Sequence, residues 1–371
     1  MRPDVIIVGG GLMGCSTAYR LAKEDLKVLV LERSVPGAEA SSAAAGILAP
    51  SVESAHDALA FQLGRRSREL HAELSDELDE LFGIDVGFRR CGVLDLAFDE
   101  ASIKKLEVSA EALSAQGVRC DTWSREDLLQ EEPSANPDAV VGLHVADDAQ
   151  VEPRKLLSAV ALGAEREGVV FRTGATVRHV VVDGGRATGV QVDGEHIEAD
   201  HVIVAAGSWT TLIPGIRLQA NTIYPVRGQM LTTETRPPVF RRVVFGAGGY
   251  VVTRPDGRVL CGSTEERVGF ERGITFEGMS RIIDTATRIA PSLAHATISD
   301  HWSSFRPGTP DGLPLVGETH IEGLFMASGH YRNGILLAPL TAEILAEALV
   351  KETTSRQAEA LSPRRFEEQP A

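Results

Sequence analysis

Gly9, Gly11 and Gly14 in the stretch Gly9-Gly-Gly11-Leu-Met-Gly14 precede an acid, Glu32, which follows the last of them by 18 residues. Glycines at this spacing let a backbone turn tightly and approach a pyrophosphate, and the free N–H groups of a following helix favour an anion. An acid at that distance can accept hydrogen bonds from ribose hydroxyls. The glycine spacing alone also occurs in plain tight turns. Here the apolar run Asp4-Val-Ile-Ile-Val8 precedes it and a helical stretch follows, so dinucleotide binding is the reading. The turn by itself does not separate a nicotinamide from a flavin dinucleotide, although its place at the extreme N-terminus suits a flavin oxidase.

Three further segments bear on that choice. Ser41-Ser-Ala-Ala-Ala-Gly46-Ile-Leu-Ala-Pro50 has few bulky side chains. It is either a small-residue loop or backbone pressed against a flat cofactor, with hydroxyls free to meet phosphate. Ala205-Ala-Gly207-Ser-Trp209 ends an apolar strand, where a small turn lets the chain pass close to an adenosine. The strongest signal is a pair: Phe305-Arg-Pro-Gly-Thr-Pro-Asp-Gly-Leu-Pro-Leu-Val-Gly317, then Gly329-His-Tyr-Arg-Asn-Gly-Ile-Leu-Leu-Ala-Pro339. The second places Gly334 at the mouth of a helix, whose positive end would face an anion or the charge on a reduced flavin.

The elements that must hold these residues read as a strand–turn–helix–strand unit over 4–32, with helix 12–24 and strand 28–31. A long helix over 56–82 carries Leu59, Leu63, Leu70, Leu74, Leu78 and Leu81 on one stripe. Another helix lies near 101–115, and Pro153 opens one at the first-turn position where proline is tolerated. Strands are expected at 169–171, 177–182, 188–192 and 201–205, with Asp183-Gly-Gly-Arg186 as a hairpin turn. A long strand over 222–233 is followed by a hairpin at 250–261 around Pro255-Asp-Gly257, a helix at 275–289, a strand at 324–328 and a helix at 334–350. The last twenty residues are polar and read as an extended tail.

The 371 residues suit two domains, and 43% apolar content suffices for a sizeable core. With 37 basic and 52 acidic residues the net charge is −15, which argues against nucleic acid or anionic lipid as a partner. Cys15, Cys91, Cys120 and Cys261 form no CxxC pair, so neither a metal site nor a disulfide framework is expected. The chain opens on Met-Arg-Pro-Asp and enters a strand, so no signal peptide is expected. No uninterrupted run of about 18 apolar residues suggests a membrane span. The cytoplasm is the default.

The glycine-rich start, Ser-Ala-Ala-Ala-Gly-Ile-Leu-Ala-Pro, Arg-Pro-Gly-Thr-Pro-Asp-Gly-Leu-Pro and Gly-His-Tyr-Arg-Asn-Gly-Ile-Leu-Leu-Ala-Pro together resemble the glycine oxidases of the thiamine pathway, within the D-amino-acid oxidase-like flavoproteins. The resemblance spans Asp4 to about Leu349. It implies non-covalent FAD, and oxidation of glycine, sarcosine or small D-amino acids to imino acids with O2 reduced to H2O2. It also implies an imine usable for thiazole synthesis, and a homotetramer. FAD contacts are implied at Gly9, Gly11, Leu12, Met13, Gly14, Glu32, Arg33, Ala40, Ser41, Ala45, Gly46, Ile47, Val177 and Gly207, and in the loop His330, Tyr331, Arg332, Asn333, Gly334, Ile335, Leu336. Arg306 and Arg332 match two substrate-binding arginines, and Tyr250 an active-site tyrosine. Ile47 stands where relatives often carry methionine, and Gly248 and Glu265 where some carry larger or less charged residues; these bear on substrate range.

Arginine suits a carboxylate because its planar fork gives two parallel charge-assisted bonds. Arg306 sits between an apolar strand and a Pro-Gly turn, well placed for this. For Arg332 the competing role is a structural pair with an acid, and for Tyr250 a core aromatic. His330 is read as structural. His301, His179 and the Asp147-Asp148 pair are read as ordinary. The expected fold is α/β, a doubly wound Rossmann-like FAD-binding domain from 1–85, 147–220 and 301–371. It is interleaved with an α+β substrate domain on an antiparallel sheet from 86–146 and 221–300. The competing functions are a D-amino-acid dehydrogenase using a quinone or carrier protein, an NAD-dependent dehydrogenase, and a flavin-binding partner protein without turnover.

Overall fold

A computed structural model describes residues 2–351 and 356–366. The apolar runs near the N-terminus form the middle of a six-stranded sheet. Its order is Leu315–Glu318, Leu324–Ser328, His201–Val204, Val5–Val8, Val28–Glu32, Val170–Thr173. All neighbours are parallel except the first pair. Every residue of Val5–Val8 is buried, as a strand covered on both faces must be. Val5 and Ile7 join the core beneath the helices Leu12–Ala22, Pro153–Arg166 and Gly334–Val350. Ile6 and Val8 face a three-stranded antiparallel sheet, Val177–Asp183, Arg186–Val192, Glu195–Glu198. The expected α/β architecture with a central parallel sheet is present, its faces covered by helices on one side and the antiparallel sheet on the other.

The second sheet has eight strands, ordered Ile298–Gly308, Tyr224–Glu234, Arg258–Gly262, Gly249–Thr253, Val243–Gly246, Val93–Ala97, Val141–Val145, Asp121–Ser124. It is antiparallel except where Val93–Ala97 meets Val243–Gly246 in parallel. Those two strands come from distant stretches of chain, so no hairpin dictates their direction. Ile298–Gly308 lies wholly in this sheet and runs through the expected boundary at 300/301.

Two local expectations are corrected, and two features are added to them. Leu81, in the last turn of helix Ala58–Phe82, is 54% exposed, although Leu78 on the same stripe is fully buried; the buried face also takes in Ser67, Arg68 and His71, each with its own partner. A short helix, Arg125–Glu131, follows a capping box in which Ser124 and Asp127 cap each other. In place of an extended tail, Arg356–Ala360 and Pro363–Phe366 are helical. There Leu361 is buried, its carbonyl accepts from Val316 N at 2.9 Å, and Arg365 pairs with Asp311 at 2.8 Å. Residues 352–355 and 367–371 of that tail lie outside the described residues. Finally, the stretch Tyr331–Val350 is long and apolar enough to cross a membrane by length and composition alone, a test that a core helix also passes. Of its most apolar stretch, 56% is buried inside the molecule.

Candidate active site

The glycine turn is closed by backbone against backbone. A Cβ on Gly14 would lie 1.9 Å from Gly9 O, and one on Gly9, whose φ is +114°, 2.5 Å from Ala205 O. The strand end at Ala205 and the first turn of helix Leu12–Ala22 therefore press together, as the motif requires. Ser41 Oγ accepts from Leu12 N at 2.9 Å. The Glu32 carboxylate accepts from Gly10 N at 2.7 Å and Ser34 N at 2.8 Å, which fixes it at the strand end. Arg33 stacks its guanidinium 4.0 Å from the Trp209 ring centroid.

The small-residue loop is held from behind by residues far away in sequence. Arg254, 2% exposed, donates to Ala45 O and, at 2.6 Å, to Gln150 Oε1. Trp302 Nε1 donates to Ala43 O at 2.9 Å. Asp148, read from sequence as ordinary, is fully buried and accepts from Arg68 and from Ser51 just beyond the loop. Burial pushes the Asp148 carboxyl up to about 6, against the opposing pull of Arg68.

Helix Gly334–Val350 enters the site at its N-terminus, where Asn333 makes no side-chain cap. Pro339 within it has no N–H for the carbonyl of Ile335 four residues earlier. His71 fills that gap: its Nε2 lies 2.8 Å from Ile335 O, and since a carbonyl can only accept, Nε2 carries the proton. Burial pushes His71 down to about 4, so it is neutral at pH 7. Ser67 donates to the next carbonyl, Leu336 O, at 2.6 Å. His330 is buried against Thr341 Oγ1 at 2.9 Å, and burial pushes it down to about 3. Tyr331 beside it takes a left-handed backbone, φ +48°.

These parts enclose a cavity of about 470 Å³. At one end stand Tyr250, Arg306 and Arg332. Arg306 Nη1 donates to Thr264 O at 3.0 Å and Nη2 to Ser263 Oγ at 2.7 Å. Its guanidinium passes over Gly228 of the neighbouring strand, where a Cβ would sit 2.2 Å from Nη1. Tyr250 is buried, its hydroxyl 3.7 Å from Met230 Sδ and its ring edge-on to Phe245 at 5.7 Å. Arg332 is forked by Glu53, at 2.7 and 2.8 Å, and bonded by Glu265 at 2.6 Å. Burial alone would lower the Arg332 pKa; the Glu53 bond and charge more than reverse this, so it stays charged. For Glu265, burial pushes upward, but the Arg332 bond and charge outweigh it and hold the carboxyl below its usual range.

Of the residues singled out from sequence, Gly9, Gly11, Leu12, Met13, Glu32, Arg33, Ala40, Ser41, Ala45, Gly46, Ile47, Val177, Gly207, Tyr250, Arg306, His330, Tyr331, Arg332, Gly334 and Ile335 line this cavity. Gly14, Asn333 and Leu336 do not; Gly14 closes the turn, and Leu336 is buried with its side chain 3.1 Å from where a Gly64 Cβ would stand. Sequence reasoning missed Glu53, Gly228, Arg254 and Trp302. Only Gly228 left a signal, as a glycine inside a long strand. The fit to a dinucleotide is direct: a glycine turn with no room for side chains, first-turn backbone on the cavity wall, and an acid fixed at the strand end.

Comparison with known proteins agrees with this architecture. The chain is 35% identical over 357 residues to the bifunctional protein ThiO/ThiG of Trichormus variabilis, covering 95% of this chain and 53% of that protein. It thus spans about half the length of such relatives. With the glycine oxidase of Geobacillus kaustophilus it shares 32% identity over 359 residues, covering 95% of this chain and 94% of that one. The crystal structure of a glycine oxidase from the same organism superposes with a TM-score of 0.91 at 31% identity, over 98% of this chain and 99% of the other. The pattern of the FAD dependent oxidoreductase family, DAO, matches residues 4–348, and the chain belongs to that family.

Proposed function

We propose that this chain holds FAD without a covalent bond and oxidises a small amino acid to its imino acid, with O2 reduced to H2O2. The substrates are glycine, sarcosine or small D-amino acids, and the imine from glycine supplies thiazole synthesis for thiamine. The names of the ThiO/ThiG and glycine oxidase relatives support the substrate class and the pathway. The observation that carries the reading is Arg306: it lines the cavity, its hydrogen-bond partners are neutral oxygens, and although the Glu265 charge lies near, no carboxylate is bonded to its fork. None of the four cysteines lines the cavity, and Cys261 is buried with its thiol pushed up to about 12 by burial, which supports a non-covalent flavin.

When bound, FAD accepts the two electrons of the Cα–H bond and passes them to O2. The chain's own residues bind and orient. Arg306 fixes the substrate carboxylate through its planar fork. Tyr250 bounds the same end and limits side-chain size. Glu32, Leu12 and Met13 hold the dinucleotide, and the N-terminus of helix Gly334–Val350 places a partial positive charge at the cavity. His330 takes no proton, because it is bonded to Thr341 and burial keeps it neutral. With the substrate amine neutral, no protein base would be required at the cavity, and the proton left on nitrogen would go to solvent.

A peroxide-coupled screen of glycine, sarcosine and D-alanine on the purified yellow protein tests this. Stoichiometric H2O2 with at least one of them, and yellow supernatant after acid precipitation, is the expected result. Turnover with a quinone but none with air would instead make it a dehydrogenase.

A further inference from the structure

Two arginines on one cavity could suit a substrate with two carboxylates. The ion pairs around them argue otherwise. Arg306 is hydrogen-bonded only to a carbonyl and a hydroxyl, both uncharged, and feels the Glu265 charge without a bond to it, so a first substrate carboxylate that neutralises Arg306 leaves the Glu265 charge uncompensated. Arg332 is engaged on Nε, Nη1 and Nη2 by two carboxylates, at 2.6 to 2.8 Å. Its side chain is 27% exposed, that of Glu53 17% and that of Glu265 44%. The trio carries one net negative charge. For Arg332 to receive a second substrate carboxylate, it would have to release Glu53 and leave a largely buried carboxylate unpaired, which is costly.

We infer that Glu53 and Glu265 are specificity-determining residues that confine the site to monocarboxylate amino acids and turn away substrates with a second anionic group near the amine. The inference rests on the amino-acid oxidase reading above. Arg306 supplies the single cation that a substrate carboxylate can use at that end. A second anion meets the net charge of the Glu53–Arg332–Glu265 cluster instead of a free guanidinium. Neutral extensions of the same size meet no such opposition. Glu265 is the more telling of the two, because it adds the negative charge beyond what Arg332 needs for neutrality.

The test compares iminodiacetate with its monoamide, N-(carbamoylmethyl)glycine, which has nearly the same shape and one carboxylate fewer. Sarcosine serves as the reference secondary amine. In the wild-type holoenzyme at low ionic strength, kcat/KM for the monoamide should exceed that for iminodiacetate by about tenfold or more, as one charge at partly buried range implies. Glu265→Gln should narrow that ratio to within about threefold. Glu53→Gln should move it the same way. A variant that is merely destabilised lowers both substrates together and leaves the ratio unmoved. Equal use of the diacid and monoamide by wild type, or a ratio unchanged in Glu265→Gln, overturns the inference while sarcosine turnover keeps the oxidase reading intact. If sarcosine and glycine alike give no peroxide, the oxidase reading fails and this inference with it.

Discussion

The backbone of Gly228 lies so close beneath the guanidinium of Arg306 that a Cβ there would stand 2.2 Å from Nη1 and 2.6 Å from Cζ. Two antiparallel strands set this contact, in which Gly228 pairs with Ser304 and Val226 with Arg306. The Arg306 side chain crosses diagonally over the position opposite Ser304, and only a hydrogen there leaves it room. Gly228→Ala should therefore displace the guanidinium. The Michaelis constant for the best amino acid should rise by roughly tenfold to a hundredfold, since small misplacements at a site are expensive. Flavin absorbance should persist, and oxidation of a carboxylate-free amine should change little. An unaltered constant would show that Arg306 has another way to reach its place.

Glu32 stands at the end of its strand with both oxygens bonded to backbone N–H groups, which leaves further lone pairs for ribose. Glu32→Gln removes the charge and turns one acceptor into a donor facing an N–H. FAD should bind about 1–2 kcal/mol more weakly. Fluorescence titration of the apoprotein measures this, and an unchanged dissociation constant would reduce Glu32 to a strand-end cap.

Arg68 and Asp148 form a buried pair that anchors the chain just past the small-residue loop. Removing one partner of such a pair leaves an unpaired buried charge and costs about 3–5 kcal/mol. Arg68→Met should lower Tm by several degrees, and Arg68→Met with Asp148→Asn should recover part of that loss. A double variant as unstable as the single one would mean that packing, not charge, dominates.

His71 makes acid destabilising. Its folded pKa, about 4, lies below the ordinary histidine value of 6.5. Between those values the unfolded chain binds the proton and the folded one does not. The stability His71 contributes is thus full above pH about 6.5 and is lost as pH falls toward 4. Glutamine at this position keeps an N–H donor for Ile335 O but cannot titrate. His71→Gln should lower Tm at pH 7 yet show a smaller further drop between pH 7 and pH 5 than wild type. Parallel curves for the two proteins would refute the assignment.

Much of this was legible in the sequence, for local reasons. Strands buried on both faces carry unbroken apolar runs, so Val5–Val8 and His201–Val204 stand out. Asp183-Gly-Gly-Arg186 announces its hairpin because Gly184 and Gly185 both take positive φ, +55° and +85°. What stayed hidden depends on long-range partners. Arg254 reaches Ala45 across 209 positions, Trp302 reaches Ala43 across 259, and Arg332 meets Glu53 across 279. No local pattern marks either end of such a pair. Asp148 resembled any surface acid until Arg68 closed on it, and the polar tail concealed Leu361, which its neighbours fold inward.

The central claim is that Arg306 clamps the substrate carboxylate, and steady-state kinetics of Arg306→Ala with glycine or sarcosine test it most directly. The account predicts a Michaelis constant raised by about two or more powers of ten, for a loss of roughly 3 kcal/mol, with flavin content normal. Arg306→Lys, keeping the charge without the fork, should fall between. A carboxylate-free amine should respond far less to either change. Near wild-type constants for Arg306→Ala with its best amino acid would contradict the account.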